Sequence, residues 1–244
     1  MNIGQNLEKI MNIPVNAVSM DQALGIISDT IEKKSKLHII TINAEMIMLS
    51  KTNEEFKNIL NGANLLIPDG SGVVWALRKQ GIKVKKLPGI ELSQNCISQL
   101  GKNVYLLGAN KEVIQKAYEN LKAKYPHSQI VGYHDGYFNN DNQEPIINEI
   151  NALNTDILLV GLGVPRQEKW IKENLTKVNA SVFIGVGGSF DIFSGKIRRA
   201  PPLMIKFHLE WLYRLYKEPW RWKRMLVLPK FVGAVYTYKE NSLK

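Results

Sequence analysis

Cysteine is nearly absent: Cys96 is the single one in 244 residues. An intramolecular disulfide and a multi-cysteine zinc site are therefore excluded, and the composition suits a reducing compartment. The four histidines are scattered and have no metal-ligand spacing. No Asp-x-Asp pair is present to hold a metal over a diphosphate, and no Walker A sequence exists, which removes a P-loop NTPase. No run of about 18 uninterrupted apolar residues occurs, so a spanning helix is not predicted. The opening stretch MNIGQNLEKIMNIPVN has no basic segment followed by an apolar one, so no secretory signal is predicted. The expectation is a cytoplasmic protein, or one attached to a membrane surface without crossing it. With 45% hydrophobic and 22% charged residues over this length, global disorder is excluded.

Acidic residues are scarce in one place only. Residues 1–195 carry 20 Lys+Arg against 19 Asp+Glu, whereas residues 196–244 carry 12 against 3. The formal charge of +10 therefore resides almost entirely in the last fifth of the chain. That fifth also holds Trp211, Trp220, Trp222, Tyr213, Tyr216, Tyr236 and Tyr238. A basic, aromatic segment on a neutral body reads as a surface-seeking appendage, and a nucleic acid or an anionic membrane would each satisfy it.

Six short apolar runs, at 37–43, 64–68, 103–108, 129–133, 156–163 and 181–188, are continuous rather than alternating, which suits strands buried on both faces. Helical spacing separates them over 44–60, 111–125, 145–153 and 165–178. Alternation of this kind predicts an α/β protein with a Rossmann-like, mainly parallel sheet and helices on both faces. After Gly195 the strands stop. Residues 201–216 follow one helical pattern, Pro219 breaks it, and a second basic and aromatic segment follows. The predicted division is a catalytic α/β domain over 1–195 and a basic helical appendage over 196–244.

Ligands of parallel sheets bind beyond the carboxyl ends of the strands. Those positions hold Thr41 and Asn43, Pro68-Asp69-Gly70-Ser71-Gly72, Gly108, Gly161 with Gly163 and Arg166, and Gly187-Gly188. Glycines there would let a phosphate approach backbone amides and helix N-termini; they would equally suit ordinary strand-to-helix turns. The 161–166 stretch begins like a dinucleotide loop, but Arg166 stands where the third glycine belongs, which disfavours a nicotinamide or flavin enzyme. Asp69 is the leading carboxylate for general-base duty, since desolvation in a crevice would raise its pKa; a turn or helix-cap role fits its position as well. Asp191 has the same ambiguity, and Arg166, Gln167 and Glu168 surround a helix start at Pro165.

Several stretches together resemble the WecG/TagA/CpsF glycosyltransferases, glycosyltransferase family 26. They are Pro68 to Val74, Gly161 to Trp170, Gly185 to Asp191, Arg198 to Pro201, Leu209 to Leu215 and Glu218 to Arg221, in order along nearly the whole chain. The resemblance implies transfer of N-acetylmannosamine from UDP-ManNAc to the 4-hydroxyl of GlcNAc in undecaprenyl-diphospho-GlcNAc, an early step of wall teichoic acid linkage-unit synthesis. It implies inversion, no metal and no cofactor. It also implies Asp69 as base with Thr41, Asn43 and Gln167 in the same cleft. Gly108, Gly161, Gly163, Arg166, Gly187, Gly188 and Asp191 would line the substrate site. The appendage would target the inner face of the cell membrane and bring Arg214, Arg221 and Arg224 over the diphosphate. The chain departs from many relatives, which carry Arg and Asp around the Gly89 segment where this chain has Lys85-Lys86-Leu87-Pro88-Gly89-Ile90-Glu91, and lysine where it has Arg166.

The residues leave other expectations to compare. A relative could transfer a different UDP-sugar to a polyprenyl-diphosphate acceptor. A non-enzymatic RNA-binding protein would use the basic tail, but the tail's aromatics fall on a helical apolar face rather than on strands, so no nucleic-acid partner is expected. The apolar face of the tail would meet a membrane surface, the body, or a second copy in a homo-oligomer.

Overall fold

In the computed structural model, residues 7–139, 141–207, 209–219 and 222–238 are described. The first described elements form a hairpin, β1 (Leu7–Ile10) and β2 (Ile13–Asn16), paired antiparallel. Its two-residue turn places Met11 at φ 49° and Asn12 at φ 64°, the left-handed geometry that matches strand twist. Helix α1 (Met20–Glu32) follows, opened by a capping box between Ser19 and Gln22.

The central sheet is made of β3 (Leu37–Ile42), β4 (Leu65–Pro68), β5 (Val104–Gly108), β6 (Ile130–His134), β7 (Ile157–Gly161) and β8 (Val182–Gly185). Their order is β4-β3-β8-β7-β5-β6, and each pair of neighbours runs parallel. The six apolar runs are these six strands. Ile39, Ile67, Leu106, Leu159 and Ile184 point to one core, while Ile40, Leu66, Leu107, Leu158 and Phe183 point to the other side. Continuous apolarity is thus two alternating faces, both covered. The exception is β6, half-buried from Val131 to His134 because it is the outer strand.

The first face is covered by α1, by α5 (Gly89–Gln99), by α6 (Lys111–Lys124) and by α9 (Ser189–Phe193). On the second lie the hairpin and five helices of the body: α2 (Ala44–Ser50), α3 (Glu54–Gly62), α4 (Ser71–Lys79), α7 (Glu144–Ala152) and α8 (Arg166–Asn174). The single helix expected over 44–60 is two, because Asn53 caps a new helix through its bond to the Phe56 N–H at 2.9 Å. Pro165 is the cap of α8 rather than its first residue.

Beyond Gly195 the regular elements among the described residues are all helices: α10 (Pro202–Lys206), α11 (Glu210–Lys217), α12 (Trp222–Met225) and α13 (Val227–Thr237). The one helix expected over 201–216 is α10 and α11, divided where the Leu209 N–H bonds the Met204 carbonyl at 2.8 Å and closes the first. Helix α13 packs across α2 and α4. Its Phe231 is fully buried in the core that contains Val73 and Val74. Among the described residues no helix is long and apolar enough to cross a membrane.

Candidate active site at the carboxyl edge of the sheet

Strand register brings the candidate residues to one edge. Ile42 pairs with Pro68, so Asn43 and Asp69 leave the sheet side by side, while Ile40 and Val160 both face Gly185, which places Val186 level with Thr41. The Asp69 and Gly70 amides donate to the Ile42 carbonyl at 3.1 and 3.3 Å. A Cβ on Gly70 would stand 3.0 Å from the Asn43 Cβ, so these two strand ends touch. Thr41 is buried, with Oγ1 donating to the Gly185 carbonyl at 3.0 Å. A Cβ on Gly89 would lie 2.7 Å from Thr41 Cγ2, which is why only glycine fits there. Asn43 caps α2 by accepting the Met46 N–H at 3.0 Å.

Asp69 is bounded by charge from two segments, the loop that carries Lys86 and the helix α11. Burial pushes its pKa up, opposed by the charges of Lys86 and Arg214 and by the Gly89 N–H, while Glu210 pushes it further up. Lys86 reaches the site because the Leu87 N–H bonds the Pro68 carbonyl at 2.9 Å and lays the preceding loop along β4. Arg214 and Glu210 come from α11, so the appendage contributes directly to the surroundings of Asp69.

Gln167 is buried and bridges two loops. Its Nε2 donates to Glu168 Oε1 at 2.7 Å, and its Oε1 accepts the Gly187 N–H at 3.1 Å. Gly187 has φ 51° and Gly163 φ 80°, left-handed geometry that favours glycine. A Cβ on Gly161 would stand 2.9 Å from the Gly187 carbonyl, so the β7 and β8 ends are in contact, and one on Gly108 would collide with Gly161. Gly188 caps α9, and Asp191 on that helix lies 3.6 Å from Lys196.

Other expected residues stand elsewhere on this edge. Arg166 donates to the Gly136 and Phe138 carbonyls at 2.7 and 2.5 Å and stacks over the Phe138 ring, which fastens the loop after β6. Arg224 forms a two-pronged pair with Glu45 at 2.8 and 2.9 Å, on the first turn of α2. Arg221 lies outside the described residues. Among the described residues no three His, Cys, Asp or Glu side chains gather as a metal site. Cys96 is buried in the core with its thiol pushed up to about 12 by burial, which suits packing rather than nucleophilic chemistry.

The surroundings of two groups were not legible in the sequence. Glu168 is fully buried, its pKa pushed up to about 7 by burial against the Gln167 hydrogen bond, and its Oε2 has no hydrogen-bond partner among the described residues. Glu210 is the other, an anion that only the docked appendage brings to Lys86. Its presence in the Leu209 to Leu215 stretch was visible; its partner, 124 residues away, was not.

A parallel sheet with a carboxylate, cations and glycine-rich turns at its carboxyl edge defines an α/β protein built to hold a ligand beyond its strand ends. The chain belongs to the WecG/TagA/CpsF glycosyl transferase family, whose model matches residues 8–244. A relative from Bacillus subtilis (strain 168) is 34% identical over 240 residues, covering 96% of this chain and 93% of its own. One from Bacillus spizizenii is 38% identical over 210 residues, covering 84% and 81%, and one from Staphylococcus aureus (strain MW2) is 33% identical over 218, covering 87% and 85%. All three are named N-acetylglucosaminyldiphosphoundecaprenol N-acetyl-beta-D-mannosaminyltransferase.

Proposed function

We propose that the protein transfers N-acetylmannosamine from UDP-ManNAc to the 4-hydroxyl of GlcNAc in undecaprenyl-diphospho-GlcNAc, with inversion, forming the β1,4 linkage of the wall teichoic acid linkage unit. The names of the relatives supply the sugar and the acceptor. The observation that carries the chemistry is Asp69, a half-buried carboxylate whose pKa burial raises, near Lys86 and Arg214 at the carboxyl edge. In this reading Asp69 accepts the proton of the acceptor hydroxyl as its oxygen bonds to the sugar C1. The C1–O bond to UDP breaks on the opposite face, and the electron pair leaves with the diphosphate. Positive charge from Lys86 and Arg214, with amides of the glycine-rich turns, stabilises that leaving group. Thr41, Asn43 and Gln167 hold the strand ends that shape the cleft, and no metal takes part.

The appendage, residues 196–244, attaches the catalytic body to the inner face of the cell membrane, where a polyprenyl acceptor resides. Its outer face supports this: Leu203 and Phe207 are 65% and 62% exposed on a segment rich in lysine and arginine. The test is product analysis with UDP-ManNAc, UDP-GlcNAc and UDP-glucose against a short-chain lipid diphosphate acceptor, in EDTA. The expected product is a β-linked ManNAc disaccharide from the first donor alone. A strict Mn²⁺ or Mg²⁺ requirement, or preference for another donor, contradicts the proposal.

A further inference from the structure

Glu210 is the first residue of α11, in the appendage, yet its carboxylate is held from outside that helix, by Lys86 of the body and by Arg199 ahead of α10. Oε2 is ion-paired with Lys86 Nζ, and Oε1 lies 3.8 Å from Arg199 Nε. Arg199 in turn pairs through Nη2 with Glu91 on α5. The Lys86 and Glu210 side chains are each 18% exposed, so solvent screens this pair far less than a rim contact. Arg199 Nε is buried with no hydrogen-bond partner among the described residues, which leaves the nearby Glu210 carboxylate to balance it. Arg214 follows Glu210 by four residues on the same helix face.

We propose that Glu210 is a positioning residue: by holding Lys86 and Arg199 it docks α11 over the carboxyl edge of the sheet and fixes Arg214 and Lys86 around Asp69. The catalytic consequence rests on Asp69 being the base; the docking itself does not. The groups that face Asp69 are Lys86 from the loop after α4, Arg214 and Glu210 from α11, and the Gly89 N–H at the start of α5, with Arg199 and Glu91 behind them. Glu210 offsets the charge of Lys86. Without that anion Asp69 faces uncompensated cations, and if α11 lifts it also regains water; both effects favour its ionised form and weaken it as a base.

The test uses full-length Glu210→Gln with two readouts: hydrogen exchange over residues 202–217, and the pH profile of kcat/KM on a short-chain soluble acceptor. Exchange in α11 should rise about tenfold or more, as expected of a locally released element. The value of kcat/KM should fall by about tenfold or more, with its acidic limb moved to lower pH. Glu210→Asp, which keeps the charge, should recover part of both. Lys86→Met should raise exchange similarly, and combining it with Glu210→Gln should add little, as for two members of one pair. Native exchange and an unmoved profile in Glu210→Gln overturn the proposal, as does lost turnover with neither change. Asp69→Asn run in parallel separates the two ideas. Normal turnover by that variant removes the base while α11 release still upholds docking. An inactive Asp69→Asn beside an unaltered Glu210→Gln keeps the base and removes Glu210.

Discussion

Phe231, near the end of the described chain, is seated against Gly72 on α4: a Cβ on Gly72 would stand 3.6 Å from Phe231 Cε1 and 3.3 Å from the Ala44 Cβ. Gly72 is three residues past Asp69, so α13 closes the core directly beneath the proposed base. The expected outcome for Phe231→Ala is a loss of about 3–5 kcal/mol of stability in urea denaturation, the usual cost of emptying a fully buried aromatic site. For the same reason a fragment ending at 195 should unfold at lower urea than the full chain. Equal midpoints would show that residues 196–244 contribute nothing to the core.

Asp69→Asn should lower transfer by about two to four orders of magnitude, the usual contribution of general base catalysis, while circular dichroism and UDP binding stay near normal. The amide keeps the shape of the carboxylate and can still accept the Gly89 N–H. Turnover within a few-fold of wild type would exclude proton abstraction by this residue.

Much of this site was legible in the chain because its parts are local. Asp69 follows an apolar run and precedes two glycines, and the turns at 161–163 and 185–188 end strands whose burial on both faces gives unbroken apolar sequence. The hairpin was not legible: four-residue strands such as LEKI carry too little pattern, and β2 is anchored by a long-range bond from the Leu66 N–H to Asn16 Oδ1 at 2.8 Å. Long-range charge pairing was equally hidden. Arg224 reads as one more cation for a diphosphate, yet its partner in the fold is Glu45. The helix breaks at Asn53 and Leu209 escaped because apolar spacing continues across both, while a capping side chain or a closing backbone bond decides where a helix ends.

Arg214→Glu should reduce kcat/KM by about 10² even on a soluble short-chain acceptor, the scale expected when one preorganised charge is removed from a leaving group. The soluble acceptor matters because it needs no membrane attachment. Full activity there, with loss only on the lipid-embedded acceptor, would restrict Arg214 to targeting.

Glu168 gives a pH dependence of stability with a definite sign. Its carboxyl titrates near 4.5 in an unfolded chain and at about 7 in the folded one. The folded state therefore holds the proton more tightly, and this contribution is fully present below pH 4.5 and lost as pH rises through about 7. At about 1.4 kcal/mol per pKa unit the loss is about 3 kcal/mol. Glu168→Gln cannot ionise, so its stability relative to wild type should improve by that amount between pH 4 and pH 8 in guanidinium titrations. A difference that is flat with pH would mean that Glu168 stays ionised in the fold.

The outer face of α10 gives the remaining prediction. Leu203 and Phe207 are 65% and 62% exposed, with Lys206 between them, and α11 adds Trp211 and Leu212 at 40% and 42%. Exposed apolar groups this close together are costly in water, and beside cations they match the boundary of an anionic bilayer. Each cation near such a surface adds about 1 kcal/mol, which salt screens. Wild-type protein should therefore sediment with phosphatidylglycerol vesicles, less so as NaCl is raised, and barely with neutral ones. Leu203→Ser combined with Phe207→Ser should lose most of that binding while keeping transfer to the soluble acceptor, since both side chains are exposed and neither belongs to the charged cluster around Asp69. Vesicle binding equal to wild type by the double variant would remove α10 from the contact. A change in oligomeric state in its place would assign the face to a second copy of the chain.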